Sequence, residues 1–241
     1  MTVKEHYDNH LGNFYSWMMG DFETKQKEFQ VFLKENSMIP FLTKNAIDLG
    51  AGHGLQSIPL AEVGFNVLAV DFNEQLLGEL KLNAKSLNIE ILNADMKTLI
   101  QFARKNPELI VCCGDTLSHL CNKREISDFI KDASNILVNG GKMLLSFRDY
   151  SNELTGDSRF IPVKSDDTKI LTCILEYKHD TVNVSDLLYK KTEAGWKQKV
   201  SSYKKVRLLT DEILGLLKAN GMRIHLNQII NRMTTIIAIK L

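Results

Sequence analysis

The chain has no apolar run near the roughly 20 residues that a bilayer helix requires, and its first ten residues, Met1 to His10, are polar where a secretory segment would be apolar. A cytoplasmic protein with no membrane partner is therefore expected. Neither charge sign is in surplus: 30 Lys and Arg against 29 Asp and Glu leave a net charge of +1. That balance lacks the basic excess of a phosphate-backbone binder, so no nucleic-acid partner is expected. Cysteine is scarce. Cys112, Cys113, Cys121 and Cys173 show no CxxC spacing, and the vicinal pair on a strand would point to opposite faces. They read as reduced, mostly buried thiols, with no metal site. Internal repeats and low-complexity tracts are missing too. With 44% apolar and 24% charged residues, disorder and fibrous architectures are excluded, and 241 residues suit one large α/β domain with a modest insertion.

From Asn45 onward, strand-length apolar runs alternate with helix-length segments. The runs are Ala46 to Leu49, Phe65 to Val70, Ile89 to Leu92, Leu109 to Cys113 and Lys142 to Phe147. Such alternation predicts a mostly parallel sheet with helices on both faces. Helices are expected at Leu55 to Val63, Glu74 to Leu87, Lys97 to Lys105 and Lys123 to Val138, and at Phe22 to Glu35 behind an Asp21 cap with Phe22, Phe29, Phe32 and Leu33 inward. Three β-rich stretches, Lys169 to Lys178, Val182 to Thr192 and Trp196 to Leu208, read as an antiparallel insertion. A last helix from Thr210 and a strand pair, Arg223 to Ile230 and Thr234 to Lys240, then return to the main sheet. The expected division is 1–150 for N-terminal lid helices and the ligand-binding core, 151–209 for the insertion over the site, and 210–241 for the elements completing the core sheet.

The sharpest local signal is Asp48-Leu49-Gly50-Ala51-Gly52-His53-Gly54, at the end of the first strand. Open α/β sheets bind ligands at the carboxyl ends of their strands, and glycines there let the backbone approach closely. A dinucleotide fingerprint needs a small residue where this chain has Leu55, which weakens a pyrophosphate reading. Asp71, closing the second strand, is placed to accept hydrogen bonds from two ribose hydroxyls.

The G-x-G-x-G spacing resembles the first motif of class I S-adenosylmethionine-dependent methyltransferases. That resemblance implies a Rossmann-like sheet with an antiparallel C-terminal strand and S-adenosyl-L-methionine as cofactor. Asp48, Gly50, Ala51, Gly52 and Cys113 are then expected beside the cofactor, Phe72 against the adenine, and Asp95-Met96 at the adenine edge. Further stretches, Cys112-Cys113-Gly114-Asp115-Thr116-Leu117-Ser118-His119-Leu120, Arg148-Asp149-Tyr150 and Lys164-Ser165-Asp166-Asp167-Thr168, are similar to those of glycine/sarcosine N-methyltransferases, as is Gly20-Asp21. In that family the arginine matching Arg148 holds the substrate carboxylate, which suits a planar guanidinium fork. Two positions depart from the pattern. Asp115 stands where the family has Asn, and would repel an acceptor carboxylate unless protonated or paired with Arg148. Phe22-Glu23 stand where the family has an arginine that meets the cofactor's carboxylate.

Methyl transfer from a sulfonium is an in-line displacement, so alignment and exclusion of water supply most of the catalysis. An amine acceptor must be neutral to attack. Asp115 and His119 are the candidates to take its proton, and Tyr15, within an aromatic group that includes Tyr7, Phe14 and Trp17, is expected to offer its ring to the sulfonium. The expected partner is a small methyl acceptor, an amine or amino-acid-like molecule. Methylation of RNA or protein, and a module that holds the cofactor without transfer, stay open at this point. Oligomeric state is not readable from these features.

Overall fold

The computed structural model describes residues 1–241. Helices α1 (Val3–Asn9), α2 (Tyr15–Met19) and α3 (Phe22–Glu35) precede the first strand; β1 (Asn45–Leu49), α4 (Ser57–Glu62), β2 (Asn66–Asp71), α5 (Glu74–Ala84), β3 (Ile89–Asn93), β4 (Leu109–Cys112), α6 (Lys123–Ile136) and β5 (Lys142–Phe147) follow. Four consecutive strands come next, β6 (Phe160–Ser165), β7 (Lys169–Tyr177), β8 (Thr181–Thr192) and β9 (Gly195–Val206), before α7 (Thr210–Ala219), β10 (Met222–Ile230) and β11 (Met233–Lys240). The main sheet runs β10-β11-β5-β4-β1-β2-β3, with β11 antiparallel to both of its neighbours and the other core pairs parallel. This is the expected mostly parallel sheet with an antiparallel C-terminal strand. The strand order reverses at β1, so a crevice opens where β1 and β4 end, the position at which α/β sheets take ligands.

The parallel strands read as unbroken apolar runs because helices cover both faces. Ile47, Leu49, Ile110, Leu145 and Phe147 face a core with α6 and α7, whereas Ala46, Ala69, Val111 and Leu144 face Leu33, Leu60 and Leu80. Several expected elements are shorter. The helix expected from Leu55 begins at Ser57, because Gly52 and Gly54 take positive φ and carry the chain through a turn first. The segment near Lys97 is a 3₁₀ run, Met96–Lys105. Of the four residues expected inward on α3, only Leu33 is fully buried; the three phenylalanines are half-buried. Asp21 does cap that helix, accepting from the Thr24 N–H.

The insertion gains one strand that sequence patterning missed, β6, and forms a separate antiparallel sheet, β6-β7-β8-β9. Its inner face carries Leu171, Leu175, Val182, Val184, Leu188 and Tyr203, and these pack against Val3, Leu11, Phe14 and Tyr15 from the N-terminal segment. That segment is thereby held between two sheets. His6, fully buried, has Ser201 Oγ 2.8 Å from Nδ1 and Asp186 Oδ2 3.1 Å from Nε2, and its ring stacks on Tyr203 at 4.0 Å. On the core side Asn73 donates to Asp8 at 2.9 Å, and Gln75 donates to the Gly12 carbonyl at 2.9 Å. The Lys164-Ser165-Asp166 stretch serves the same docking: Lys164 donates to the Trp17 carbonyl and Asp166 accepts from the Trp17 ring N–H, each at 2.5 Å.

The loop that feeds β1 is fastened by one acid. Glu108, 2% exposed, accepts from the backbone N–H groups of Phe41 (2.9 Å), Leu42 (2.7 Å) and Thr43 (2.8 Å). Glu108→Ala leaves these donors without an acceptor, and the expected cost is roughly 2–3 kcal/mol, read as a lower urea midpoint with an unchanged slope.

Candidate active site

A cavity of about 610 Å³ lies at the carboxyl ends of β1, β2 and β3 and runs beneath α1 to the edge of β9. Of the residues singled out from sequence, Gly50, Asp71, Phe72, Asp95, Met96 and His119 line it; Thr116, Leu120, Lys204 and Lys205 line it as well. Gly50 has φ +72°, and a Cβ there would overlap the Thr116 side chain, so the close approach of these two loops requires glycine. The loop is tied down by its neighbour: Gly50 and Ala51 both donate to the Val70 carbonyl, at 2.8 and 3.1 Å.

Asp71 joins this loop to the next. Its Oδ2 accepts from the Gly52 N–H and its Oδ1 from the Asn73 N–H, both at 2.8 Å. Each oxygen has a second lone pair for a ligand hydroxyl. Burial pushes this carboxyl up, against the opposing pull of the two backbone N–H groups. Phe72 stands beside it with the Tyr7 ring edge-on at 5.6 Å. At the end of β3, Asp95 accepts from the Lys97 N–H at 2.9 Å and is exposed, whereas Met96 is buried against the core. Asp95 thus caps the following 3₁₀ run while remaining at the cavity wall.

Seven expected site residues lie off the cavity wall. Asp48 is 1% exposed beneath the loop, where its Oδ2 accepts from the Ser57 hydroxyl at 2.5 Å, and burial pushes its carboxyl up to about 7. Ala51 and Cys113 are buried in the core, and burial lifts the Cys113 thiol to about 12. Gly52 turns its N–H to Asp71, and Tyr15 covers it, with the Tyr15 ring 3.8 Å from the position a Cβ would take. Tyr15 also meets His53 edge-on at 5.2 Å. These five positions lie in the loop or behind it.

Arg148 and Asp115 require corrections of a different kind. The Arg148 side chain is exposed and makes no hydrogen bond or ion pair; its contribution is a backbone N–H donated to Asp115 Oδ1 at 3.0 Å. Asp115 is paired instead with Lys205, whose Nζ donates to Oδ2 at 2.5 Å, and the Tyr150 hydroxyl donates to the same oxygen at 3.4 Å. Burial raises the Asp115 carboxyl, but Lys205 and the Arg148 N–H more than offset this and hold it below the usual carboxylate range. Lys205 is correspondingly raised by Asp115 against the opposing effect of burial. An ionised, bridged Asp115 is no general base. His119 is unsuited too: burial and the nearby Lys205 push its imidazole down to about 3, and its Nε2 has no partner. It remains a neutral ring between Tyr7 at 5.6 Å and Tyr203 at 6.0 Å.

Lys205 escaped the sequence reading. A signal exists, because Ser201, Tyr203 and Lys205 occupy the inward phase of an alternating strand, and a lysine in that phase needs a buried partner.

Residues 46–141 match the model of a methyltransferase domain. That match covers 96 of the 241 residues. It spans β1 through the end of α6, the part of the sheet that supplies Gly50, Asp71, Phe72, Asp95 and His119. A glycine/sarcosine N-methyltransferase of Parasynechococcus marenigrum is 26% identical over 117 residues, 48% of this chain and 42% of that protein. A ubiquinone biosynthesis O-methyltransferase of Coxiella burnetii is 31% identical over 120 residues, 47% of this chain and 49% of that protein. The chain thus spans less than half the length of these curated relatives. Its whole fold is similar to that of an S-adenosylmethionine-dependent methyltransferase from Clostridium acetobutylicum, with TM-score 0.73, 19% identity, and 97% and 96% of the two chains covered. The matched segment therefore sits in a Rossmann-like architecture that includes the antiparallel insertion.

Asp48 makes the stability of the fold pH-dependent. Its folded pKa, about 7, exceeds the unfolded value, so the folded state holds a proton that the unfolded chain has released. This contribution is fully present below pH 4 and is lost as pH rises through 7. Comparing thermal midpoints of wild type and Asp48→Asn from pH 5 to 8, the wild type is expected to fall relative to the variant.

Proposed function

We propose that this protein transfers a methyl group from S-adenosylmethionine to a small-molecule acceptor, an amine or amino-acid-like N-methyl acceptor. The observation that carries the reading is the convergence of Asp71, Phe72 and Asp95-Met96 beside Gly50 on one cavity wall. A carboxylate with free lone pairs, an aromatic ring, a thioether and a second carboxylate are the groups that suit a ribose diol and an adenine. When bound, S-adenosylmethionine supplies an activated methyl on a sulfonium. Asp71 would hold the ribose hydroxyls, Phe72 and Met96 would flank the base, and Asp95 would meet its edge. Tyr7 and Tyr15, fixed between the two sheets, pack against Phe72 and the loop at Gly52 and support the wall from outside.

The state of the titratable groups bears on the chemistry. His119 is neutral and Asp115 is bridged, so neither removes a proton from an ammonium acceptor; an amine enters the reaction already neutral. Catalysis then rests on alignment, which a displacement at an activated carbon permits. The basic ends of the cavity wall, Lys204 and Lys205, favour this by disfavouring a second cation nearby.

Calorimetry with S-adenosylmethionine and S-adenosylhomocysteine, followed by a screen of amines and amino acids with methyl-labelled donor, tests the proposal. Binding of both, with release of S-adenosylhomocysteine in the presence of an acceptor, is expected. Binding without product across the panel would point to a cofactor-holding module; product only with added RNA or peptide would reassign the acceptor. Asp71→Ala is expected to weaken cofactor binding by roughly 1–3 kcal/mol, the loss of a charged hydrogen bond, and unaltered affinity would contradict the ribose assignment.

A further inference from the structure

The cavity wall carries Asp71, Asp95 and Glu125 together with Lys4, Lys97, Lys204 and Lys205, and Lys97 is engaged with Asp95 at 3.6 Å. Lys204 and Lys205 are contributed by β9, outside residues 46–141. Lys205 is 9% exposed, yet it lines the cavity; Asp115, 2% exposed and off the cavity wall, stands behind it. The charge that faces a ligand here is positive. An ammonium has three N–H donors, and Asp115 Oδ2 is the one hydrogen-bond acceptor that Lys205 meets in the protein, so two donors are uncommitted. Lys204, next along the strand, is exposed at the same wall and forms no ion pair; Lys4, also at the wall, is already bound to Asp8 at 2.6 Å. The Thr181 hydroxyl adds a neutral polar group from the adjoining strand.

Resting on the methyl-transfer reading, we propose that Lys205, backed by Asp115 and flanked by Lys204, is an anion subsite that selects acceptors bearing an anionic oxygen group, a carboxylate or a phosphate. Arg148, exposed and unpaired away from the cavity, does not serve this purpose. The subsite lies on the inserted sheet and not on the core, so the acceptor is gripped by the roof while the cofactor is gripped by the floor. Asp115 keeps Lys205 charged and pinned within its buried setting, and without it a buried ammonium would tend to lose its proton. The same arrangement removes the repulsion that an isolated Asp115 would impose on an anionic acceptor.

The test is calorimetric binding of matched probes to the full chain, both free and saturated with S-adenosylhomocysteine. The probes are glycine, sarcosine and β-alanine against their amides, and O-phosphoethanolamine against ethanolamine. At least one anionic probe is expected to bind about tenfold or more tightly than its neutral counterpart, the discrimination a charged hydrogen bond provides. The amino acids and the phosphorylated amine separate carboxylate from phosphate recognition. In Asp115→Asn/Lys205→Met, which removes both charges together, this ratio is expected to fall to near one while S-adenosylhomocysteine affinity stays unchanged. Lys204→Glu at the exposed rim lowers the same ratio without disturbing the buried pair, and keeps the test decisive if the double variant does not fold. Equal binding of anionic and neutral probes to wild type, binding by no anionic probe, or a ratio that survives the substitutions would overturn the proposal. If S-adenosylhomocysteine fails to bind while the ratio is present on the free protein, the methyl-transfer reading falls and the anion subsite stands.

Discussion

The buried bridge between Asp115 and Lys205 sets the relation between the two sheets. Asp115 follows the end of β4 on the core, Lys205 comes near the end of β9 on the insertion, and the two close at 2.5 Å with almost no solvent access. Desolvating both charges is costly, and the bridge is sustained because further partners satisfy the carboxylate: the Arg148 N–H and the Tyr150 hydroxyl reach it from the segment after β5. Breaking it from one side would leave a buried charge without compensation, a loss of roughly 3–5 kcal/mol. Three strand ends are thereby tied to one carboxylate.

The N-terminal segment fills the space that the bridge leaves between the sheets. It is polar in sequence, yet His6, His10, Leu11 and Phe14 are buried, because the segment is buried by its neighbours and not by its own hydrophobicity. His6 meets Asp186 and Ser201 on one side, and Asp8 meets Asn73 on the other. Its contacts with the core fall on the β2–α5 turn that begins with Asp71. Glycine loop, N-terminal cover and inserted sheet are consequently one connected arrangement.

The cavity wall carries Asp71, Asp95 and Glu125 together with Lys4, Lys97, Lys204 and Lys205. The two groups that sequence reading favoured as bases are disabled by their surroundings: burial and the Lys205 charge keep His119 neutral, and the same lysine occupies Asp115.

The core of the fold was legible in the residues, because strand-length apolar runs alternating with helical segments admit few arrangements, and Gly50 with Asp71 marks the strand ends by local chemistry. The extent of α4, the strand β6 and the exposure of Arg148 were not legible, since each depends on neighbours distant in the chain. Local pattern determined the parallel sheet, the glycine turn and the acid after β2, because backbone geometry and periodicity act over a few residues. Only the tertiary structure decided that Lys205, ninety positions beyond Asp115, is its partner, and that Asp48 and Cys113 lie beneath the site. Ion pairing and desolvation are set by distance in space, which the order of residues does not record.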